Sequence, residues 1–192
     1  NSTRQDQFDR ASAPPVDKPK RRKLRVFAYD PSLGASLDTL GINETQLDVK
    51  WEDLLPGPVG EYLEVIDVDP ASKACYAPVD LNNPYLLEQH GLTPSETDPR
   101  FHQQMAYAVA SRTIEYFERA LGRVALWAPH FTRVGVTVEE QYVGRLRIYP
   151  HALRAANAYY SPQKKALLLG YLNAVSEDPV VNAPGALVFS AL

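Results

Sequence analysis

Short runs of alternating polar and apolar residues recur along the chain, and each run predicts a β-strand. The clearest lies at Arg145–Tyr149, where the alternation is typical of a strand with one face in water. Runs rich in β-branched and aromatic residues, each ended by turn residues, predict the other strands. The strands predicted in this way lie at residues 24–29, 42–51, 62–70, 133–140 and 146–149.

The stretch from Arg154 to Tyr171 predicts a β-hairpin that continues this sheet. Tyr159 and Tyr160 favour a half-buried strand, and Ala166–Leu169 is a second apolar run after a Ser-Pro-Gln-Lys turn. With the preceding strand, the hairpin predicts an antiparallel meander. The outer strand of a meander has unpaired N–H and C=O groups, and an extended peptide can pair with them.

One helix is predicted over residues 99–121. Asp98 can cap its first turn, Pro99 suits the first helical position because its missing N–H needs no partner there, and Gly122 supplies a left-handed stop. One long helix with a mostly antiparallel sheet gives an α+β fold class. Apolar residues recur at helical spacing, so we expect one face to be buried along the whole helix. These residues are Phe101, Met105, Ala108, Val109, Tyr116, Phe117, Ala120 and Leu121.

Charge divides the chain into a tail and a body. Residues 1–25 contain eight Lys and Arg against three Asp, whereas the rest contains twelve against twenty. Residues 1–23 are poor in apolar side chains, so we expect a disordered tail there and a single α+β lobe over residues 24–192. No aromatic residue interrupts the basic run, as a base-stacking surface would require, so we expect a solvated linker and no nucleic-acid contact.

The sequence says little about the compartment. Cys75 is the only cysteine, so no intrachain disulfide forms, and we expect a small buried thiol. No apolar run reaches about 18 residues, and no apolar signal-peptide core lies near the N-terminus. We therefore expect a soluble chain without a membrane span and leave its localisation open.

Residues with metal-binding or catalytic chemistry are scattered along the chain. The four histidines lie 12, 28 and 21 residues apart, so no two share a helical turn. Glu139 and Glu140 are strand neighbours and point to opposite faces, which argues against a shared acid–base site. The sequence contains no His-Glu-x-x-His, no phosphate-binding glycine loop and no Ser elbow. We therefore expect no metal ligands and no catalytic residues in this chain, and structural or surface roles for His90, His102, His130 and His151.

The triplet Asn157-Ala158-Tyr159, followed by a hairpin and Gly170, resembles the Asn-Ala-aromatic edge strand of thermolysin-like zinc metallopeptidases, the gluzincins. The long helix precedes this strand, which is the order found in the N-terminal lobe of that family. Residues 148–153 and 184–190 are similar to a bacterial branch of gluzincin-like proteins. The resemblance implies that Asn157, Ala158 and Tyr159 bind the main chain of a peptide substrate at the upper rim of a cleft.

The resemblance also implies that the complete protein is a zinc-dependent endopeptidase that uses metal-activated water. In that family the zinc helix follows shortly after the position of Leu192, so we expect this chain to be the N-terminal lobe, inactive and zinc-free by itself. Its expected partners are a peptide or protein substrate and a C-terminal catalytic lobe or second polypeptide. The apolar run at residues 186–192 should pack against that partner or against the long helix. Two alternatives stay open: a non-catalytic module that binds peptides through the same edge strand, and a structural domain that docks partners through its basic tail.

Overall fold

A computed structural model of the chain describes residues 2–12, 19–29, 43–134, 137–173 and 187–189. These residues form helices at Ser2–Ser12 (α1), Pro84–Glu88 (α2) and Pro99–Leu121 (α3). They also form strands at Arg21–Phe27 (β1), Glu44–Lys50 (β2), Leu63–Val65 (β3), Val68–Asp69 (β4), Ala74–Cys75 (β5), His130–Val134 (β6), Thr137–Gln141 (β7), Leu146–Leu153 (β8), Ala158–Ser161 (β9), Ala166–Asn173 (β10) and Leu187–Phe189 (β11). The α+β class is therefore confirmed.

The long helix α3 begins and ends where its capping residues predict. Asp98 accepts a hydrogen bond from the Arg100 N–H at 2.9 Å, and Gly122 adopts a left-handed φ of 66° after the last turn. The helix α3 contacts β1 and β2 as well as β3 and β8, so it joins the two main sheets of the fold. The buried residues of α3 all lie between Phe101 and Ala108.

The expected burial of one face along the whole of α3 is wrong for its second half. Tyr116, Phe117 and Leu121 are 53%, 61% and 57% exposed, although Ile114 in the same half of the helix packs against the core. In the first half, by contrast, three consecutive polar residues are almost completely buried. These residues are His102, Gln103 and Gln104.

The central sheet has the strand order β11-β10-β8-β3, with β9 paired to β10. The predicted antiparallel meander is wrong in one respect, because β8 pairs parallel with both of its neighbours. These neighbours are β10 and β3. The predicted hairpin is present, since β9 pairs antiparallel with β10 from Ala158↔Leu169 to Ser161↔Ala166. A second sheet consists of the antiparallel pair β1 and β2, and β4–β5 and β6–β7 form two small antiparallel pairs.

The core lies where the first half of α3 meets these sheets. Leu24, Val49, Leu63, Phe101 and Ile148 are all at most 2% exposed, and they come from β1, β2, β3, α3 and β8. Burying a side chain of this size stabilises the fold by roughly 1.5–3 kcal/mol. The core therefore fixes α3 against β8, the strand that carries much of the site described below.

The N-terminal region differs from the disordered tail that we expected. A helix, α1, spans Ser2–Ser12, and β1 begins at Arg21 rather than at Leu24. Arg22 is 1% exposed, and its guanidinium lies 4.3 Å from the Trp51 ring centroid and donates to the Glu52 carbonyl at 2.9 Å. The basic run thus contributes a buried cation to the core, because backbone carbonyls and an aromatic face replace its water.

The C-terminal apolar run was expected on the long helix or on a partner. Leu187–Phe189 pairs antiparallel with the end of β10, and residues 190–192 lie outside the described residues. Packing of the run against a partner stays a prediction. Within the described ranges, none of the helices is both long enough and apolar enough to span a bilayer.

Candidate peptide-binding groove and a buried histidine chain

The three residues predicted to bind substrate lie together at the start of β9. Asn157 is exposed and precedes the strand, Ala158 is partly buried against the core, and Tyr159 is 45% exposed. The Asn157 N–H donates to the Ala155 carbonyl at 2.8 Å, which makes a tight turn into β9. Their role in substrate binding stays a prediction.

The outer edge of β9 has no partner strand among the described residues. All of its ladder pairs are with β10, on the inner side. Tyr159 and Tyr160 are almost equally exposed, at 45% and 46%, but as strand neighbours they point to opposite faces of the sheet. The outer edge therefore presents main-chain donors and acceptors with one tyrosine on each face.

The start of β9 rests directly on Gly170 of β10. A Cβ atom at this glycine would lie 2.1 Å from the Ala155 carbonyl oxygen and 2.4 Å from that of Asn157. Both contacts are far shorter than a van der Waals distance, so only glycine allows the two backbones to approach so closely. Gly170 thus determines where Asn157 lies relative to the sheet.

An open groove of about 1000 Å³ runs along one face of the central sheet beside β9. Tyr159 lines it, whereas Tyr160 does not. Arg147, Tyr149 and Leu168 contribute side chains from the central strands β8 and β10. We call this cavity the groove.

Basic side chains line the groove together with two carboxylates. Arg147 forms a salt bridge with Glu64 at 3.4 Å, and the Arg145 Nε donates to the Gly60 carbonyl at 2.6 Å. Lys164 and Lys165 lie in the turn between β9 and β10. No carboxylate of the described residues comes within 4.0 Å of either lysine ammonium.

A bulge in β8 directs a histidine away from the groove and into the protein. Tyr149 pairs with Leu168 and Leu153 pairs with Gly170, so four residues of β8 advance against two of β10. Pro150, which has no N–H for the ladder, lies inside the irregular segment. The irregularity leaves both Pro150 and His151 buried, although they are neighbours in the chain.

His151 is the centre of a hydrogen-bonded set that we call the histidine chain. Its Nδ1 lies 2.5 Å from Asp67 Oδ1, and its Nε2 lies 3.0 Å from His102 Nδ1. The His102 Nε2 lies 3.1 Å from the Ser95 carbonyl oxygen. His102, His151 and Asp67 are 3%, 2% and 7% exposed, and Gln103 donates to the second Asp67 oxygen at 3.0 Å.

The protons of the histidine chain can be assigned by counting. The Ser95 carbonyl only accepts, so His102 donates from Nε2. If His102 is neutral, its Nδ1 accepts and His151 must donate from Nε2. His151 also bonds to Asp67 through Nδ1, so the three bonds hold one proton more than a carboxylate and two neutral imidazoles supply. With His102 neutral, that proton lies between His151 Nδ1 and Asp67 Oδ1, which are 2.5 Å apart.

The electrostatics of His102 agree with this assignment. Burial lowers the pKa of His102 to about 4, and the neighbouring His151 lowers it further, against the opposing effect of Asp67. His102 is therefore neutral near pH 7. The rings of Tyr76 and Tyr171 lie 4.9 and 5.3 Å from that of His151 and separate it from water.

A second buried carboxylate lies beside the histidine chain. Asp69 is 2% exposed and accepts hydrogen bonds from the Tyr171 hydroxyl and the Ser72 hydroxyl, both at 2.5 Å. Burial acts to raise the pKa of Asp69, but these bonds outweigh it and lower the pKa to about 2. Burial and the bond to Asp69 raise the pKa of Tyr171 to about 12. This pair is thus a carboxylate and a neutral phenol.

The remaining candidates do not assemble into a site. His130 lines the groove, and His90, with a left-handed φ of 60°, lies after α2. Cys75 is exposed, so the expected buried thiol is wrong. Among the residues that the structure describes, no group of three or more His, Cys, Asp or Glu side chains is arranged to hold a metal ion.

The histidine chain could not be predicted from local patterns, because its members are far apart in the sequence. His102 and His151 are separated by 49 residues, and Asp67 and His151 by 84. One local signal was available, since a proline within a predicted strand marks a bulge, and Pro150 precedes His151. A second signal was the run of three consecutive polar residues near the start of α3, because three consecutive positions span more than half of a helical turn and at least one must face the core.

Comparison with known proteins gives no family for the chain: no family model, no curated protein and no solved structure matches it.

Proposed function

We propose that the chain is a peptide-binding lobe in which an extended peptide adds to the outer edge of β9 and lies along the groove. The observation that carries this proposal is the edge itself. Among the described residues, β9 pairs only with β10, and the residue that lines the groove from β9 is Tyr159. Main-chain pairing supplies affinity in such complexes, and side-chain pockets beside the strand supply specificity.

The dimensions of the edge define the length of peptide that it can bind. β9 has four residues, and a strand rises about 3.3 Å per residue, so about four peptide residues pair with it. The 1000 Å³ groove accommodates their side chains on one face. Asn157, at the entrance to the strand, adds an exposed amide that can both donate to and accept from a peptide backbone.

Peptide hydrolysis is a further step of the proposal and rests on the resemblance to gluzincins. The zinc-binding His-Glu-x-x-His would come from a catalytic lobe, since this sequence does not contain it. In that arrangement this chain binds and orients the peptide, and zinc in the complete protein activates the attacking water. The binding proposal does not depend on that step.

The test measures binding of about ten-residue peptides from an unbiased library to the whole chain, with two matched variants. Tyr159→Ala should weaken binding at least about fivefold, because a packed aromatic contact is lost. Tyr160→Ala should change it less than about twofold, because an equally exposed ring on the other face is removed. N-methylation of alternate peptide amides should abolish binding. If N-methylation at every position leaves the affinity unchanged, main-chain pairing with β9 is excluded.

A further inference from the structure

The lining of the groove has a charge opposite to that of the whole protein. The chain carries a formal net charge of −3, but the groove is lined by four Lys and Arg and two Glu. Local charge determines which ligands are attracted, because charges more than a Debye length of about 10 Å away are screened. The groove therefore favours an anionic ligand although the protein as a whole is acidic.

The cations of the groove differ in how far the protein already uses them. Arg147 is neutralised by Glu64, whereas Lys164, Lys165 and Arg145 have no carboxylate of the described residues within 4.0 Å. The Lys165 side chain is half-buried, and that of Lys164 is exposed. The two lysines at the β9–β10 turn are thus positive groups that a ligand can neutralise.

The backbone holds these two lysines in place at one end of the β9 edge. The Lys164 N–H donates to the Ser161 Oγ at 3.3 Å, and Lys165 adopts a left-handed φ of 50°. A peptide that pairs with β9 must pass this turn as it leaves the strand. Alternate side chains of an extended peptide point to the same face, so acidic residues two apart both reach the groove.

We propose that the groove selects extended peptides with acidic side chains, whose carboxylates bind Lys164 and Lys165 beside the edge of β9. This inference rests on the proposed function and gives it a substrate class. A single-stranded nucleic acid is the competing polyanion. It fits less well, because the unpaired edge of β9 matches the donors and acceptors of a peptide main chain, which a nucleic acid lacks.

The experiment compares two labelled peptides of about ten residues that differ only in Glu or Gln at alternate positions. The whole chain is titrated with each at roughly 50 mM and 500 mM salt. The Glu peptide should bind about tenfold more tightly at low salt and less than about twofold more tightly at high salt. The double variant K164Q/K165Q should lower the ratio of the Gln-peptide Kd to the Glu-peptide Kd at low salt to below about two. Its thermal unfolding midpoint should be unchanged. The control Lys23→Gln, which removes an exposed lysine of β1 outside the groove, should keep the ratio.

Each outcome decides between the inference and the proposed function. Equal binding of the two peptides, with Tyr159→Ala still weakening both, would overturn acidic selection and leave peptide binding intact. A ratio that survives K164Q/K165Q would also overturn the inference, because the selecting cations would lie elsewhere. Tighter binding of an oligothymidylate than of the Glu peptide would assign the groove to nucleic acid. If neither peptide binds, both the inference and the proposed function fail.

Discussion

The two faces of the central sheet both carry charged groups, but only one face pairs them. We call the face that lines the groove the outer face and the face toward α3 the inner face. On the inner face, His151 and Tyr171 pair with Asp67 and Asp69, and all four residues are at most 9% exposed. On the outer face, the lysines of the β9–β10 turn have no carboxylate partner among the described residues. The difference shows that the presence of a partner, rather than charge itself, separates a structural group from one available to a ligand.

The comparison has an energetic consequence. A buried ion pair contributes little net stability, but removal of one partner leaves an uncompensated charge in a low-dielectric interior. An exposed lysine contributes little to folding, because water solvates it in the free protein. Substitutions on the inner face should therefore change the free energy of unfolding, and substitutions on the outer face should change peptide affinity.

The largest expected effect is that of Asp67→Asn. This change removes the carboxylate from the buried contact with His151 Nδ1, so the free energy of unfolding should fall by about 3 kcal/mol, the upper end of the penalty for an unpaired buried polar group. Urea denaturation near pH 7 measures it. The control Asp48→Asn, at an exposed position of β2, should change the free energy of unfolding by less than about 0.5 kcal/mol. A loss below about 1 kcal/mol at Asp67 would mean that its hydrogen bond to His151 does not stabilise the fold.

Acid should weaken the inner face through His102. The pKa of His102 is about 4 in the folded state and 6.5 for an unperturbed histidine, so the unfolded state binds the proton first as pH falls. Stability should thus be complete above pH 6.5 and should decrease by up to about 3 kcal/mol between pH 6.5 and pH 4. Asp69, with a pKa of about 2, loses its contribution only below this window. Urea denaturation across the window should show a flatter profile for His102→Gln, and an unchanged slope would contradict the assignment.

Gly170→Ala should lower both stability and peptide affinity, because the backbone at the start of β9 packs directly on Gly170 of β10. Its new methyl group would collide with the carbonyl oxygens of Ala155 and Asn157, and the backbone must shift. We expect a loss of about 1–3 kcal/mol in unfolding free energy together with weaker peptide binding. In the control Gly144→Ala, the added Cβ lies 3.4 Å from the nearest atom, a Tyr142 ring carbon, and thermal unfolding should change little. Wild-type affinity in Gly170→Ala would show that the position of Asn157 does not matter.

The smallest effect on stability is expected for Asn157→Ala. The side chain is exposed, so the free energy of unfolding should change by less than about 0.5 kcal/mol. Peptide affinity should fall by about 1–3 kcal/mol, because a peptide main-chain group loses its partner. Isothermal titration and thermal unfolding of the same variant separate these quantities. Lower stability with unchanged affinity would assign Asn157 a structural role.

The sequence predicts the elements whose causes are local. The bounds of α3 follow from Asp98 and Gly122, whose capping chemistry involves only neighbouring residues. The hairpin that carries Asn157 is predictable for the same reason, because its strands adjoin a short turn. The hairpin was therefore accessible from the sequence, whereas the free outer edge of β9 depends on β10 lying between β9 and β8.

The sequence does not predict features that depend on distant contacts. The exposure of Phe117 and the burial of Gln103 depend on where the sheets end relative to α3, and helical periodicity carries no such information. The parallel pairing of β8 with β10 depends on β9 lying on the far side of β10. The histidine chain depends on two such contacts, because it joins His102 of α3 to His151 in the bulge that β8 forms against β10.

Amide hydrogen exchange of β9, with and without a saturating peptide from the library, tests the central claim most directly. Amides on the outer edge of Ala158–Ser161 have no ladder partner among the described residues, so they should exchange rapidly in the free chain and slowly in the complex. Amides of β1 and β2, which pair with each other, should be unchanged. Protection that appears elsewhere in the chain while Ala158–Ser161 stays unaffected would contradict peptide addition to this edge.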